Sequence, residues 1–156
     1  MNTQAIEIIE TEVVLEEVMS LNHSRLIHRI SVALLPYENQ YDILPELEFE
    51  LATGRLKPDV ALLSRQRYDY DRDLLRVAEA PVTAIEVLSP TQSFDSLVLK
   101  IKEYYLPAGV KSGWLVLPTV QMVYVFLPNQ APQVFTTGTL HDPATGVEVA
   151  LADIFR

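Results

Sequence analysis

The chain has 156 residues, nearly half of them hydrophobic, with 12 basic against 21 acidic side chains and a net charge of −9. That length suits a single domain spanning 1–156, able to bury roughly 70% of the surface its unfolded chain exposes. The acidic balance argues against a tight, sequence-independent grip on phosphate backbones, which Lys and Arg must supply. Cysteine is absent, which excludes disulfides and thiolate metal sites and fits a reducing compartment. No basic-then-apolar leader is visible, and no apolar run reaches the ~20 residues a spanning helix needs. A cytoplasmic protein without membrane contact is the expectation.

Residues 1–20 alternate weakly and are rich in acids, so they read as a short strand or a loosely packed arm. Ser20 or Asn22 then caps a helix over 22–35 that buries Leu26, Ile27, Ile30, Ala33 and Leu34. His23 and His28 are five positions apart, not the three or four that share a helix face. They read as solvent-facing or hydrogen-bonded, with no zinc site. Residues 36–41 form a loop.

Glu46, Glu48 and Glu50 alternate with Leu47, Phe49 and Leu51, the period of a half-buried strand. Thr53-Gly54 is the expected hairpin turn and Leu56–Leu63 the return strand. That turn sets Glu50 opposite Lys57, Glu48 opposite Asp59 and Glu46 opposite Ala61. The glutamates form either a solvated outer face or, with Asp59, a functional cluster. Residues 64–79 carry Arg65, Arg67, Arg72 and Arg76 with Tyr68 and Tyr70, and a helical turn is expected at 74–78. This is a solvated loop by default; alternatively Arg65, Arg67 and Arg72 touch a nucleic-acid backbone.

Val82–Leu88 is a β-branched, apolar run interrupted by one carboxylate, Glu86, which is costly to bury without a partner. Ser89-Pro90 ends the strand, and Thr91 or Ser93 caps a second helix. In it Phe94, Leu97, Val98, Ile101, Tyr104 and Tyr105 recur at helical spacing, with Lys100 and Lys102 off the stripe. Strands are expected at Ser112–Leu117, at Val120–Leu127 after a tight Pro118-Thr119 connection, and at an edge, Gln133–Thr137. Residues 138–146 are turn-rich, His141 needs no special role, and Val147–Phe155 forms a last strand or short helix. One α/β domain accommodates all of this.

Asp59, Glu86 and Lys100 are the groups with chemical promise. Two carboxylates on adjacent strands can hold a hard divalent cation through oxygen, with water completing the shell. Such an ion lowers the pKa of bound water and neutralises phosphoryl charge, and an ammonium beside it can steady the attacking water. Together they suit phosphodiester hydrolysis. The sequence has no G-x-S-x-G, no Gly-rich phosphate loop and no G-x-G-x-x-G, so those chemistries are not supported.

The stretches KPDVALL, EVLSPTQSFDSLVLK and YYLPAGVKSGWLVLP closely resemble the Uma-type family of proteins named as restriction endonucleases, within the PD-(D/E)XK nuclease superfamily. The resemblance covers most of the chain, from Asn22-His23-Ser24 to Leu151–Phe155. It implies a restriction-endonuclease-like mixed central sheet flanked by helices, and a Mg²⁺-dependent endodeoxyribonuclease with DNA as its partner. Pro58-Asp59 matches the PD pair and Glu86 the second acidic position. Leu88 stands where the superfamily lysine is usual; Lys100, in the second helix, takes its place, with Lys102 as the alternative. Glu46 matches a supporting glutamate. Relative to the family, Leu106-Pro107-Ala108 contains one extra residue between Lys100 and Gly109-Val110. The competing reading is a catalytically inactive nuclease-fold module that binds nucleic acid or a protein partner, including a second copy of itself as a homodimer. A third is a regulatory protein docking through its acidic face.

Overall fold

Short runs of β-branched and aliphatic residues build a six-stranded mixed sheet, described here in a computed structural model covering residues 19–156. Most of the arm expected over residues 1–20 lies outside the described residues. The first element is helix α1 (Leu21–Ala33), capped by Ser20, whose side chain accepts from His23 N. It buries the predicted Leu26, Ile27 and Ile30, and also His23 and Arg29. A single 3₁₀ turn, Leu35–Tyr37, leads to β1 (Tyr41–Pro45). Then come β2 (Phe49–Leu51), β3 (Gly54–Leu56), β4 (Val60–Ser64), β5 (Thr83–Val87), α2 (Phe94–Lys100), β6 (Ser112–Leu117), β7 (Met122–Phe126) and β8 (Gln133–Phe135). The chain closes with β9 (Thr139–Asp142), β10 (Val147–Ala150) and α3 (Leu151–Phe155).

The sheet order is β1-β4-β5-β6-β7-β8, antiparallel except for β5 and β6, which run parallel through the α2 crossover. Alternation along β5 sends Ile85 and Val87 to one face and Ala84 and Glu86 to the other. The first face packs against α1, α3 and the β9–β10 hairpin through Leu26, Ile30, Trp114, Leu140 and Ile154. The second is covered by α2, the turns after it and the β2–β3 hairpin, through Leu97, Ile101, Tyr105 and Phe49. Glu86 is thus buried on the α2 face.

Several expectations are corrected. The turn of the hairpin falls on Ala52-Thr53, and Gly54 opens β3 at φ +141°, a backbone state that favours glycine. The register therefore shifts by two residues: Glu50 lies opposite Arg55, not Lys57. Leu56–Leu63 is not one strand, because Lys57-Pro58-Asp59 separates β3 from β4, which pairs instead with β1 and β5. Glu46 lies opposite Asp59 rather than Ala61, its N–H donating to Asp59 O at 3.1 Å.

The helical turn expected at 74–78 is absent. Val77 bridges to β2 instead, donating to Glu48 O and accepting from Glu50 N, which satisfies backbone groups a lone helical turn would leave open. Pro118–Gln121 forms a longer connection than the expected dipeptide, and β9 occupies part of the segment read as turns. Both a strand and a helix form over Val147–Phe155.

The α2 helix does not continue regularly to Tyr105. Ser93 caps it, accepting from Ser96 N, and after Lys100 it widens into a π turn, Ile101–Tyr105, and then a 3₁₀ turn, Leu106–Ala108. A π turn absorbs one residue more than an α turn. Gly109 itself ends the segment at φ +105°. Gly113 in β6 lets this turn sit close to the sheet: a Cβ there would come within 2.6 Å of Ile101 Cγ2.

Candidate active site

The register of β4 and β5 pairs Val60 with Ile85. Continued by one residue, it sets Asp59 beside Glu86 on the same sheet face. Lys100 reaches Glu86 from α2, with Nζ 2.7 Å from Oε1. The Tyr105 hydroxyl donates to that same Oε1 at 2.6 Å. In an α-helix, residues five apart point about 140° away from each other. The π turn brings positions i and i+5 back into line, and that is how Lys100 and Tyr105 converge on one oxygen.

Asp59 is held from two other elements. Its Oδ2 accepts from Val87 N at 2.7 Å. His23 Nε2, at the start of α1, lies 3.0 Å from the same oxygen. Each carboxylate therefore has one oxygen tied to the protein. The other, Asp59 Oδ1 or Glu86 Oε2, has no hydrogen-bonding partner among the described residues.

Burial pushes the Glu86 carboxyl up to about 7, against the opposing pull of Lys100, while the nearby Asp59 charge adds to the rise. Burial also raises Tyr105, which stays a protonated donor. His23 is raised by its contact with Asp59, which outweighs the lowering effect of its own burial.

Of the residues singled out in the sequence, Asp59, Glu86, Lys100 and Glu46 come together. Glu46, at φ +59°, borders Asp59 and pairs with Lys57 at 3.4 Å. Lys102 turns away, its amine 5.9 Å from the centre of the Phe126 ring. Arg65 leaves the sheet at the end of β4 remote from Asp59, where it donates to Glu38 O. Arg67 and Arg72 are exposed and contact none of the site groups. Tyr105 and His23 are the site residues that sequence reasoning misses. Tyr105 falls on the apolar stripe and reads as core, because nothing local marks a π turn. His23 reads as ordinary on its spacing to His28, although the resemblance begins at Asn22-His23-Ser24.

Among the described residues no group of three His, Asp or Glu side chains is arranged to hold a metal ion. The donor set fits a hard, water-rich ion instead: two carboxylate oxygens without protein partners suit Mg²⁺ or Mn²⁺, which retain several waters. The charge distribution also differs from the whole-chain figure. The first 18 residues hold five glutamates and no Lys or Arg, so residues 19–156 have 12 basic and 16 acidic side chains, a net −4.

This is a mixed α/β fold, a central mixed sheet covered on both faces. The sequence profile of the Uma2 family, described as putative restriction endonucleases, matches residues 2–152. The chain belongs to that family. No curated protein matches it. Among solved structures it is similar to a putative nuclease of the DUF820 group from Anabaena variabilis ATCC 29413, with a TM-score of 0.71 and 24% identity over 88% of this chain and 82% of that one. That likeness establishes the fold. An electron-microscopy structure of a DrdV–DNA complex aligns at a TM-score of 0.46 and 11% identity, covering 86% of this chain and 12% of that one, too loosely to bear on function. No helix among the described residues is long and apolar enough to cross a membrane.

Proposed function

We propose that the chain is a nuclease of the PD-(D/E)XK type that hydrolyses phosphodiester bonds in DNA with Mg²⁺ or Mn²⁺. Asp59 and Glu86 would hold the ion through Oδ1 and Oε2. When bound, the ion supplies a water of lowered pKa and neutralises charge on the phosphoryl oxygens. The observation that carries this reading is the matched pair of carboxylates, each clamped at one oxygen and open at the other.

The clamps give each protein group a task. Val87 N–H and His23 fix Asp59, so its remaining oxygen has a defined direction. Tyr105 and Lys100 do the same for Glu86 and hold part of its charge in a low-dielectric setting. Lys100, with its side chain 27% exposed, can turn its amine from Glu86 toward an attacking water or a phosphate oxygen. That places a cation where negative charge develops. Glu46, beside Asp59, supports the ligand carboxylate and draws Lys57 to the rim. The family description supports the reaction class.

The test is cleavage of supercoiled plasmid and single-stranded DNA by purified protein with Mn²⁺ or Mg²⁺. Cleavage should require the ion and fall at least ~100-fold in Glu86→Gln and in Lys100→Ala, with circular dichroism unchanged. Metal-dependent cleavage that survives Glu86→Gln sinks the assignment. If wild-type protein gives no cleavage above that variant, the inactive-module reading replaces it.

A further inference from the structure

The proposed reaction needs a way to hold a polyanion beside the carboxylates, and the arginine loop after β4 starts from the wrong end of the sheet. We propose that a groove between α1, α3 and the β6–β7 connection holds the nucleic-acid strand flanking the scissile phosphate, and that it takes an unpaired strand. This rests on the nuclease reading above and names the surface that would deliver its substrate.

The groove is about 240 Å³ and is lined by Asn22, Arg25 and Leu26 of α1, Pro118 and Gln121 after β6, and Ile154 to Arg156. Its position is set by the topology. β5 and β6 are parallel, and Val87 pairs with Val116, so the chain leaving β6 at Pro118 emerges at the same end of the sheet as Glu86. On α1, Asn22 directly precedes His23, whose imidazole touches Asp59. The groove and the carboxylate pair therefore share one rim.

Its chemistry is that of a strand-binding surface. Arg25 is exposed, and its only polar contact among the described residues is to Arg156 O, at 3.2 Å. The Arg156 side chain is 64% exposed, and its nearest carboxylate, Asp153 Oδ1, lies 3.9 Å away, beyond hydrogen-bond range. Two exposed guanidiniums, neither held by a side-chain carboxylate within hydrogen-bond range, thus flank the half-buried Phe155, a surface on which one unpaired base can stack. Asn22 and Gln121 add donors and acceptors for a base edge or sugar. Gln121 is held at φ +51°, a left-handed state uncommon for a non-glycine residue. Arg55, Lys57 and Arg76 each face a glutamate, the buried Arg29 is spent on Asp153 O, and Arg67 and Arg72 lie on the loop that leaves the far end of β4.

The test uses Glu86→Gln protein, so that binding is read without cleavage, and a fluorescein-labelled 12-nucleotide oligothymidine tracked by anisotropy over a range of salt. Replacing both Arg25 and Arg156 by Ala should weaken binding about tenfold at 0.15 M salt and lower the salt slope by about 0.7 for each phosphate no longer neutralised. Lys at both positions should recover most of the binding. Arg67→Ala/Arg72→Ala should leave it unchanged, and a duplex of the same length should bind more weakly. Unchanged affinity in the Arg25/Arg156 double variant, or weakened binding in the Arg67/Arg72 variant, overturns the groove. A duplex bound as tightly as the single strand overturns the unpaired-strand claim. Plasmid cleavage by wild-type protein separates the two levels: cleavage with no role for Arg25 and Arg156 removes the groove and leaves the nuclease assignment standing.

Discussion

Among the described residues two carboxylates are buried against this sheet, and they are treated in opposite ways. Asp142 in β9 is fully buried, and both its oxygens are occupied. Oδ2 accepts from Ser112 Oγ at 2.6 Å and Trp114 Nε1 at 2.8 Å, and Oδ1 from Ala144 N at 2.9 Å. Glu86 is 2% exposed, yet both of its partners, Lys100 and Tyr105, crowd onto Oε1. A buried carboxylate with donors on both oxygens pins the β9–β10 hairpin to the sheet. One left with an open oxygen at the sheet's end is poised to bind something from outside. Burial and charge alone do not tell them apart; the count of donors on each oxygen does.

The largest expected effect separates them by exchanging their phenotypes. Asp142→Ala takes the acceptor from two buried donors, Ser112 Oγ and Trp114 Nε1, and from Ala144 N, and should cost about 3–5 kcal/mol of stability by urea denaturation. Glu86→Gln should cost little stability and abolish cleavage. If Asp142→Ala is tolerated within experimental error, the contrast between an occupied and an open carboxylate is wrong.

The next effect is a pH dependence peculiar to Glu86. Its folded pKa, about 7, lies above the ordinary value of 4.5. Between these values the folded state holds a proton that the unfolded chain has released, so stability must fall as pH rises through that window. The decrease, complete above about pH 7, amounts to at most roughly 3 kcal/mol. Metal-free unfolding curves from pH 4.5 to 8 should show it in wild type and lack this component in Glu86→Gln. Identical pH profiles for the two proteins would remove the case for a strained carboxylate.

A smaller effect addresses how Lys100 and Tyr105 reach Glu86. Gly113→Ala places a methyl against Ile101 and should cost about 1–3 kcal/mol, while lifting the π turn from the sheet. Activity should drop more than stability predicts, because Tyr105 lies in that turn and Lys100 directly precedes it. A stable Gly113→Ala protein with full cleavage would show that the turn's close seating is not needed.

The elements legible in the sequence are those whose periodicity is strong: α1, β5 with its embedded Glu86, β6, and the start of α2. The Pro58-Asp59 and Lys100 positions are legible too, through the resemblance. What stays hidden depends on geometry without a local signature. The hairpin register turns on whether Gly54 sits in the turn or after it, and the two choices move every glutamate by two positions. The π turn is invisible to a 3.6-residue period, so Tyr105 looks like core. His23 looks like one of two ordinary helix histidines, because its partner Asp59 lies far along the chain. Asp142 sits in a stretch dominated by turn residues, with its Trp114 and Ser112 donors on a different strand.

The central claim is that Asp59 and Glu86 offer one oxygen each to a single divalent cation. Calorimetric titration of Mn²⁺ into wild type, Asp59→Asn and Glu86→Gln measures it without reference to any substrate. The account predicts one ion per chain in wild type and no such binding in either variant. No binding by wild type, or binding unaltered in either variant, would contradict it.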